Sequence, residues 1–485
     1  MAGKQAGAGV TSKNALEDWT GQFREGQLFW ALAILIAILA AQLAFKLIFL
    51  PDVPSAYFFL KMNPNILNSV AKTVHGDWAK LLFPFEYEPG RVYWCPSVIF
   101  FTYWGEVHLG PVASYLFFAS VFVAVSFVLT LIVSRSLLFA ATVAFMFAFG
   151  TQLDYVYTYG NLIALYLVLI YAGINFSIGF LLLSGRISGI GWKVAFVLTL
   201  AVLALANEMW INYATAVIAA TVFGFLWARR HGEAGIASRS RFLLIATIGV
   251  LIVYLVVRMR FMSQFILPGS EEELLVTYKR HVTLVYDDAV SNFFTLLYMT
   301  IDNYFPSFIS SSLSLTYSDP ATIIAQQNGY DAPYSQLVLM NHLFLWRFYA
   351  GVFCTLFLAG AGWIGYRAWA SPSYQNAIIT ALLLMTIFGF TTHLSIKMRP
   401  YNTVPALPYK VIFSVSVFTL LVGYLTTLGA QSLSSLRARR ALVAGVWACV
   451  ILAAFTRPGM QNALLTQVGL AGFGDPLQKT VHTLR

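Results

Sequence analysis

VAFVLTLAVLALANEMWINYATAVIAATVFGFLW, residues 194–227, is apolar along most of its length and is interrupted near its middle by Asn207-Glu208. As a single helix it would run roughly 50 Å at about 1.5 Å per residue, against a bilayer hydrocarbon core of about 30 Å. Two membrane crossings joined by a tight turn at Asn207-Glu208 fit that length. The rest of the chain follows the same pattern. Apolar runs stand near 28–50, 112–134, 137–153, 160–184, 193–207, 210–228, 242–257, 348–366, 376–392, 409–428 and 441–456. The reading is an all-α, polytopic membrane protein with about eleven transmembrane helices. Composition agrees: 59% of residues are hydrophobic and 10% charged, with a mean hydropathy of +0.73, outside the range of soluble domains. Met1 to Gly26 lacks the apolar core of a cleavable leader, so the first span is expected to stay as an anchor.

Charge sets the orientation. Arg135, Arg186 with Lys193, the group Arg229, Arg230, Arg239 and Arg241, Arg367, and Arg437 with Arg439 and Arg440 are read as short connectors on one side. The short connectors opposite, Thr151 to Tyr159 and Asn207-Glu208, contain no Lys or Arg. The positive-inside rule makes the first set cytoplasmic, with the N-terminus inside and the C-terminus outside. In that arrangement Glu17, Asp18, Glu25 and Glu233 are the inner carboxylates, and the rest of the twenty acids face outward. Chemistry is therefore expected outside. The formal charge of +10 is no argument for nucleic acid, because insertion topology already accounts for much of it. The expected partners are membrane lipids. Three cysteines, Cys95, Cys354 and Cys449, show neither pairing nor metal spacing.

The organisation is a cytoplasmic segment 1–27, a transmembrane module 28–257 with an outer loop at 51–111, and a long outer segment 258–347. C-terminal helices at 348–456 and an outer tail at 457–485 complete it. The outer loop is dense in acids and aromatics: Pro51-Asp52 with Tyr57, His75-Gly76-Asp77-Trp78, Glu86 to Arg91, and Tyr103-Trp104-Gly105-Glu106-Val107-His108. A plain connector is usually shorter. Amphipathic helices are expected in it. Segment 258–347 mixes Glu271-Glu272-Glu273 and Asp287-Asp288 with Phe293 to Tyr298; part of it is expected as an amphipathic helix on the membrane, part as a loop over a site.

These residues resemble the GT-C superfamily of integral-membrane glycosyltransferases, which includes protein O-mannosyltransferases and the bacterial aminoarabinose and oligosaccharyl transferases. In that superfamily an essential acid follows the first span, and membrane-lying helices come after it. Asp52, with Tyr57 five residues on, is similar in place. Gly76-Asp77-Trp78 and Tyr87 to Arg91 look like the family's approach to the second span. A second acid between spans three and four is also typical, and Asp154 stands there. The resemblance covers roughly the first 230 residues. No paired acids stand at Asp52, and the C-terminal half matches no motif. What the resemblance implies is a bacterial inner-membrane enzyme using a polyprenyl-phosphate-linked sugar, with a lipid, glycan or protein acceptor.

The residues support that chemistry in their own right. An acceptor hydroxyl is a poor nucleophile at neutral pH and needs a base, whereas phosphate leaves readily if cations stabilise its charge. Asp52 is the first candidate for the base, with Asp154 positioning acceptor or base. Lys397-Met398-Arg399-Pro400-Tyr401 offers an ammonium and a bidentate guanidinium for the phosphate, and Arg91 is a second choice. Glu106, His108, Glu208, Tyr57 and Tyr401 are candidate lining groups. Each has a plainer reading beside it. Asp52 after Pro51 also suits a turn, Asp154 a solvated interfacial loop, and Asp77 a helix N-cap. Glu106 and His108 also suit an aqueous face, Glu208 a snorkelling acid, and Lys397 and Arg399 ordinary anionic lipid. A divalent ion is left open, and His75 with His108 has no metal-ligand spacing. A lipid-linked oligosaccharide polymerase or ligase, or a transporter without chemistry, is the alternative. Acids at span ends and the lack of internal repeats weigh against the transporter.

Overall fold

The computed structural model describes residues 27–49, 108–109, 111–150, 162–206, 210–264, 289–302, 304, 343–391, 394 and 411–467. Among them no strand occurs, and the long elements are α-helices. In chain order these are α1 (Gln27–Phe49), α2 (Pro111–Ser134), α3 (Leu137–Phe149), α4 (Leu162–Ser184), α5 (Ile190–Ala206) and α6 (Trp210–Arg230). They continue with α7 (Ala234–Gln264), α8 (Ala289–Asp302), α9 (Leu343–Ala370), α10 (Tyr374–Phe388), α11 (Ile412–Ser432) and α12 (Leu436–Gln467). One helix, α5, ends at Ala206 and the next, α6, starts at Trp210, while Asn207-Glu208, where a tight turn is expected, lies outside the described residues. Each of the eleven apolar runs has a helix on it.

Seven of the helices, α1, α2, α4, α6, α7, α11 and α12, are long and apolar enough to cross a membrane. Helices α3, α5 and α10 are apolar but have 13, 17 and 15 residues, which is about 20 to 26 Å of rise. Helix α9 has 28 residues. Several helices outrun their apolar stretches. Helix α7 starts at Ala234 and continues to Gln264, so Arg239, Arg241, Arg258 and Arg260 are helical and not in connectors; α12 likewise takes in Arg437, Arg439, Arg440 and the start of the expected tail. The physical reason is that hydropathy marks the part of a helix suited to lipid, while backbone hydrogen bonding favours continuing the helix past it.

Helix α3 is the shaft of the bundle. Residues Phe139 to Phe149 are all buried, and α1, α2, α11 and α12 pack around them. Small residues allow that packing. A Cβ at Gly423 of α11 would lie 2.7 Å from Val143 Cγ2 and 3.2 Å from Phe139 Cε2, so the two backbones approach closely because α11 has no side chain there. Phe145 stacks on Trp447 of α12 at 4.3 Å between ring centroids. Ile245, Ile252, Val253 and Val256 of α7 and Leu28, Trp30 and Ile36 of α1 are exposed, the surface expected to meet lipid tails.

At one end of the bundle arginines close the C-termini of helices. Gly185, in the left-handed region at φ 76°, ends α4 with Gly185 N–H on Leu182 O and Arg186 N–H on Leu181 O. That pairing is a Schellman turn, and it leaves Leu183 O for another donor. Arg239 Nε supplies it at 2.9 Å. Arg186 donates to Val133 O at the end of α2, while Trp227 Nε1 and Arg230 Nε donate to Ala368 O and Trp369 O at the end of α9. Burial, and then the charge of Arg135, hold the Arg186 guanidinium below its usual pKa. The arginines used above for topology therefore also satisfy helix-end carbonyls.

Helix α8 lies in the long segment expected to be outside. Its apolar face carries Leu296, Leu297, Tyr298 and Ile301, all buried in a cluster with Cys354, Phe390, Val411 and Val415. The amphipathic pattern is present, but this helix covers the protein and does not lay that face on lipid. Tyr304 just beyond it hydrogen-bonds Thr419 of α11.

Candidate functional site

Of the ten residues singled out from the sequence, His108 lies among the described residues, exposed on a short helical piece ahead of α2. Asp52, Tyr57, Arg91, Glu106, Asp154, Glu208, Lys397, Arg399 and Tyr401 lie outside them, as do the amphipathic helices expected in the first outer loop. What the structure supplies is the frame that carries these residues.

That frame brings two of the attachment points together. Phe45, in the last turns of α1, meets Phe149 at the end of α3 edge-on at 5.5 Å, and Phe455 of α12 at 5.3 Å. Asp52 follows the last residue of α1 by three positions, and Asp154 follows Gly150 by four. Chain reach alone keeps their Cα atoms within about 11 Å and about 15 Å of those ends. Glu208 is two residues from both Ala206 and Trp210. Trp210 is fully buried, its ring edge-on to Tyr254 of α7 at 5.1 Å. Thr215 and Thr391 tie α6 to the end of α10 through Phe388 O. This is the end opposite the arginine caps.

The same end holds several buried polar groups that lack a hydrogen-bond partner: one end of the Gln42 amide on α1, Ser114 Oγ on α2, Trp210 Nε1 on α6 and Ser414 Oγ on α11. Arg186 Nη2, His231 Nε2 and Ser240 Oγ are in the same state toward the arginine-capped end, so unpaired buried atoms occur at both ends of the bundle and do not by themselves mark a site. One turn beyond Gln42 stands Lys46, 2% exposed. Sequence reasoning passed over both, because they sit inside a run read as a plain span. The available signal was an amide and an ammonium four residues apart in an otherwise apolar helix, hence on one face.

Deeper in the bundle a second polar group is fully satisfied. Asn175 of α4, 0% exposed, donates to Phe196 O and Thr199 Oγ1 of α5, each at 2.8 Å, and accepts from Tyr213 OH of α6 at 2.8 Å. It ties three helices together where unpaired polar atoms would be costly. Tyr213 also borders a cavity of about 260 Å³ whose wall includes Phe122, Leu129, Phe176, Trp227 and Met385. Among the described residues its lining is almost wholly apolar and includes no carboxylate.

No family model, curated protein or solved structure matches the chain.

Proposed function

We propose that this chain is a glycosyltransferase of the GT-C kind that moves a sugar from a polyprenyl-phosphate donor to an acceptor at the outer face of a bacterial inner membrane. The observation that carries the reading is the meeting of α1 and α3 at Phe45 and Phe149, which starts the segments bearing Asp52 and Asp154 from one spot. In this reading the eleven apolar helices all cross, the short α3, α5 and α10 included, and the arginine-capped end is cytoplasmic.

Asp52 takes the proton of the acceptor hydroxyl as its oxygen attacks the anomeric carbon, and the bond from that carbon to the phosphate oxygen breaks. One displacement inverts the configuration. The charge gathering on the departing phosphate is met by Lys397 and Arg399, which gain most in the transition state. The test is transfer by the purified protein in nanodiscs from a polyprenyl-phosphate sugar. Asp52→Asn is expected to insert and fold normally and to lose transfer by a factor of about 100 or more, in keeping with removal of a general base. Wild-type turnover in that variant would remove the assignment of the base.

A further inference from the structure

We propose that the cavity inside the bundle holds the hydrocarbon chain of a long-chain fatty acid, with its carboxylate at the arginine-capped end. The inference does not depend on the transferase reading. A closed ring of helices surrounds this space: α2 packs on α3 and α4, α4 on α5, α5 on α7, α7 on α6, α6 on α10, α10 on α11 and α11 on α3. Every helix of that ring contributes to the wall. Along α6 the wall runs from Tyr213 to Trp227, about 21 Å of helix rise, whereas a sphere of about 260 Å³ would be only about 8 Å across. The space is therefore drawn out along the bundle, and its section suits one chain and not two.

The wall offers a guest almost only apolar contact. Thr130, Ser177, Thr221 and Ser416 on it each donate to a carbonyl of their own helix, and Tyr213 OH is taken up by Asn175. Water gains little in such a space, and an empty one forfeits the dispersion contacts of its walls. A hydrocarbon chain restores them. Opposite the caps Phe122 meets Phe147 at 4.9 Å and Tyr213 meets Phe413 at 5.8 Å between ring centroids, so that end suits a methyl terminus. The capped end differs. There the wall takes in Val133 and Leu183, and two guanidiniums hold their carbonyls: Arg186 donates to Val133 O and Arg239 to Leu183 O. Arg239 has the charge of Glu233 nearby, but among the described residues the charge that bears on Arg186 is that of Arg135, of the same sign. Arg186 Nη2 is buried without a hydrogen-bond partner. A cation left uncompensated at the rim of an apolar cavity matches an anionic head on an apolar chain. A closed ring has no place for the second chain of a phospholipid, which singles out a fatty acid.

The experiment photolabels the full-length protein in phosphatidylcholine nanodiscs with palmitate carrying a diazirine near its methyl end, and maps the adducts by mass spectrometry. Adducts are expected on wall residues of the aromatic end, Phe147, Met385 or Phe413. Unlabelled palmitate should compete about 10-fold better than hexadecanol, or more, the range for a charge-assisted hydrogen bond. Arg186→Gln is expected to erase that preference. Adducts confined to outward-facing positions such as Leu198, Ile245 and Ile252 overturn the inference in favour of partitioning into bulk lipid. Hexadecanol competing as well as palmitate overturns it too, since the head group would then go unrecognised, and so does a folded Arg186→Gln protein that keeps the full preference. Polyprenyl phosphate competing better than palmitate overturns it in favour of the donor's own tail. If Arg186→Gln does not fold, adduct positions and competition in the wild-type protein decide. None of these results bears on Asp52 as the base.

Discussion

Among single residues, Asn175 shows how a polar side chain is kept inside an apolar bundle. Its amide meets Phe196 O, Thr199 Oγ1 and Tyr213 OH, so replacing it strands the tyrosine hydroxyl and frees a backbone carbonyl at once. Asn175→Leu is expected to cost about 1 to 3 kcal/mol, the usual penalty for an unsatisfied buried group. Tyr213→Phe should cost less, and the two together less than their sum, because they share one hydrogen bond. Unfolding in detergent or by steric trapping reads all three variants. An additive pair would show that the hydroxyl and amide act independently. The sequence placed Asn175 within a span but could not pair it, because its partners lie on two other helices. Gln42 and Lys46 were hidden for a different reason: a window average over an apolar run absorbs one amide and one ammonium. The acids were easier to see, since they interrupt the runs.

Helices were legible where apolar runs were long, and their ends were not. Hydropathy located a helix on every run, including the division at Asn207-Glu208, but it stopped short on α7, α9 and α12, where basic and aromatic turns continue the helix. It also could not tell which face of α8 meets protein, because an apolar stripe suits lipid and a neighbouring helix equally. Close packing is the other property that composition conceals. Gly423 reads as one small residue among many, yet a methyl there would lie 2.7 Å from Val143 Cγ2. Gly423→Ala is therefore expected to push α11 off α3 and lower thermal stability by about 1 to 3 kcal/mol, the scale of overpacking. Val143→Ala removes the opposing methyl, so the double variant should recover part of the loss. A double variant less stable than Gly423→Ala alone would mean that the glycine serves some other purpose than this approach.

For the whole molecule, the deciding question is which end faces outward, since lipid-linked sugar chemistry and the candidate acids must share a side. The arginine-capped end gathers the connectors after α2, α4, α6, α9 and α11, and the contacts of Arg186, Arg230 and Arg239 hold most of them together. Orientation of any one connector thus fixes the others. The caps also bear on the charge argument: an arginine kept to satisfy a helix-end carbonyl would stand there whichever way the protein inserts, so the count of basic residues weakens as a topology signal and labelling must decide. In a cysteine-free background, single cysteines at Thr158 and Ser335 are expected to react with an impermeant thiol reagent on intact cells. Cysteines at Ser188 and Ser434, both exposed in connectors of the capped end, are expected to react only after the membrane is opened. Gly232 is a poor probe for that end because its φ of 76° strains any side chain. Labelling of Ser188→Cys and Ser434→Cys from outside, with protection of the other pair, would place the segments bearing Asp52, Asp154 and Glu208 in the cytoplasm. The frame built by Phe45 and Phe149 would survive that result, but the outward-facing transferase would not.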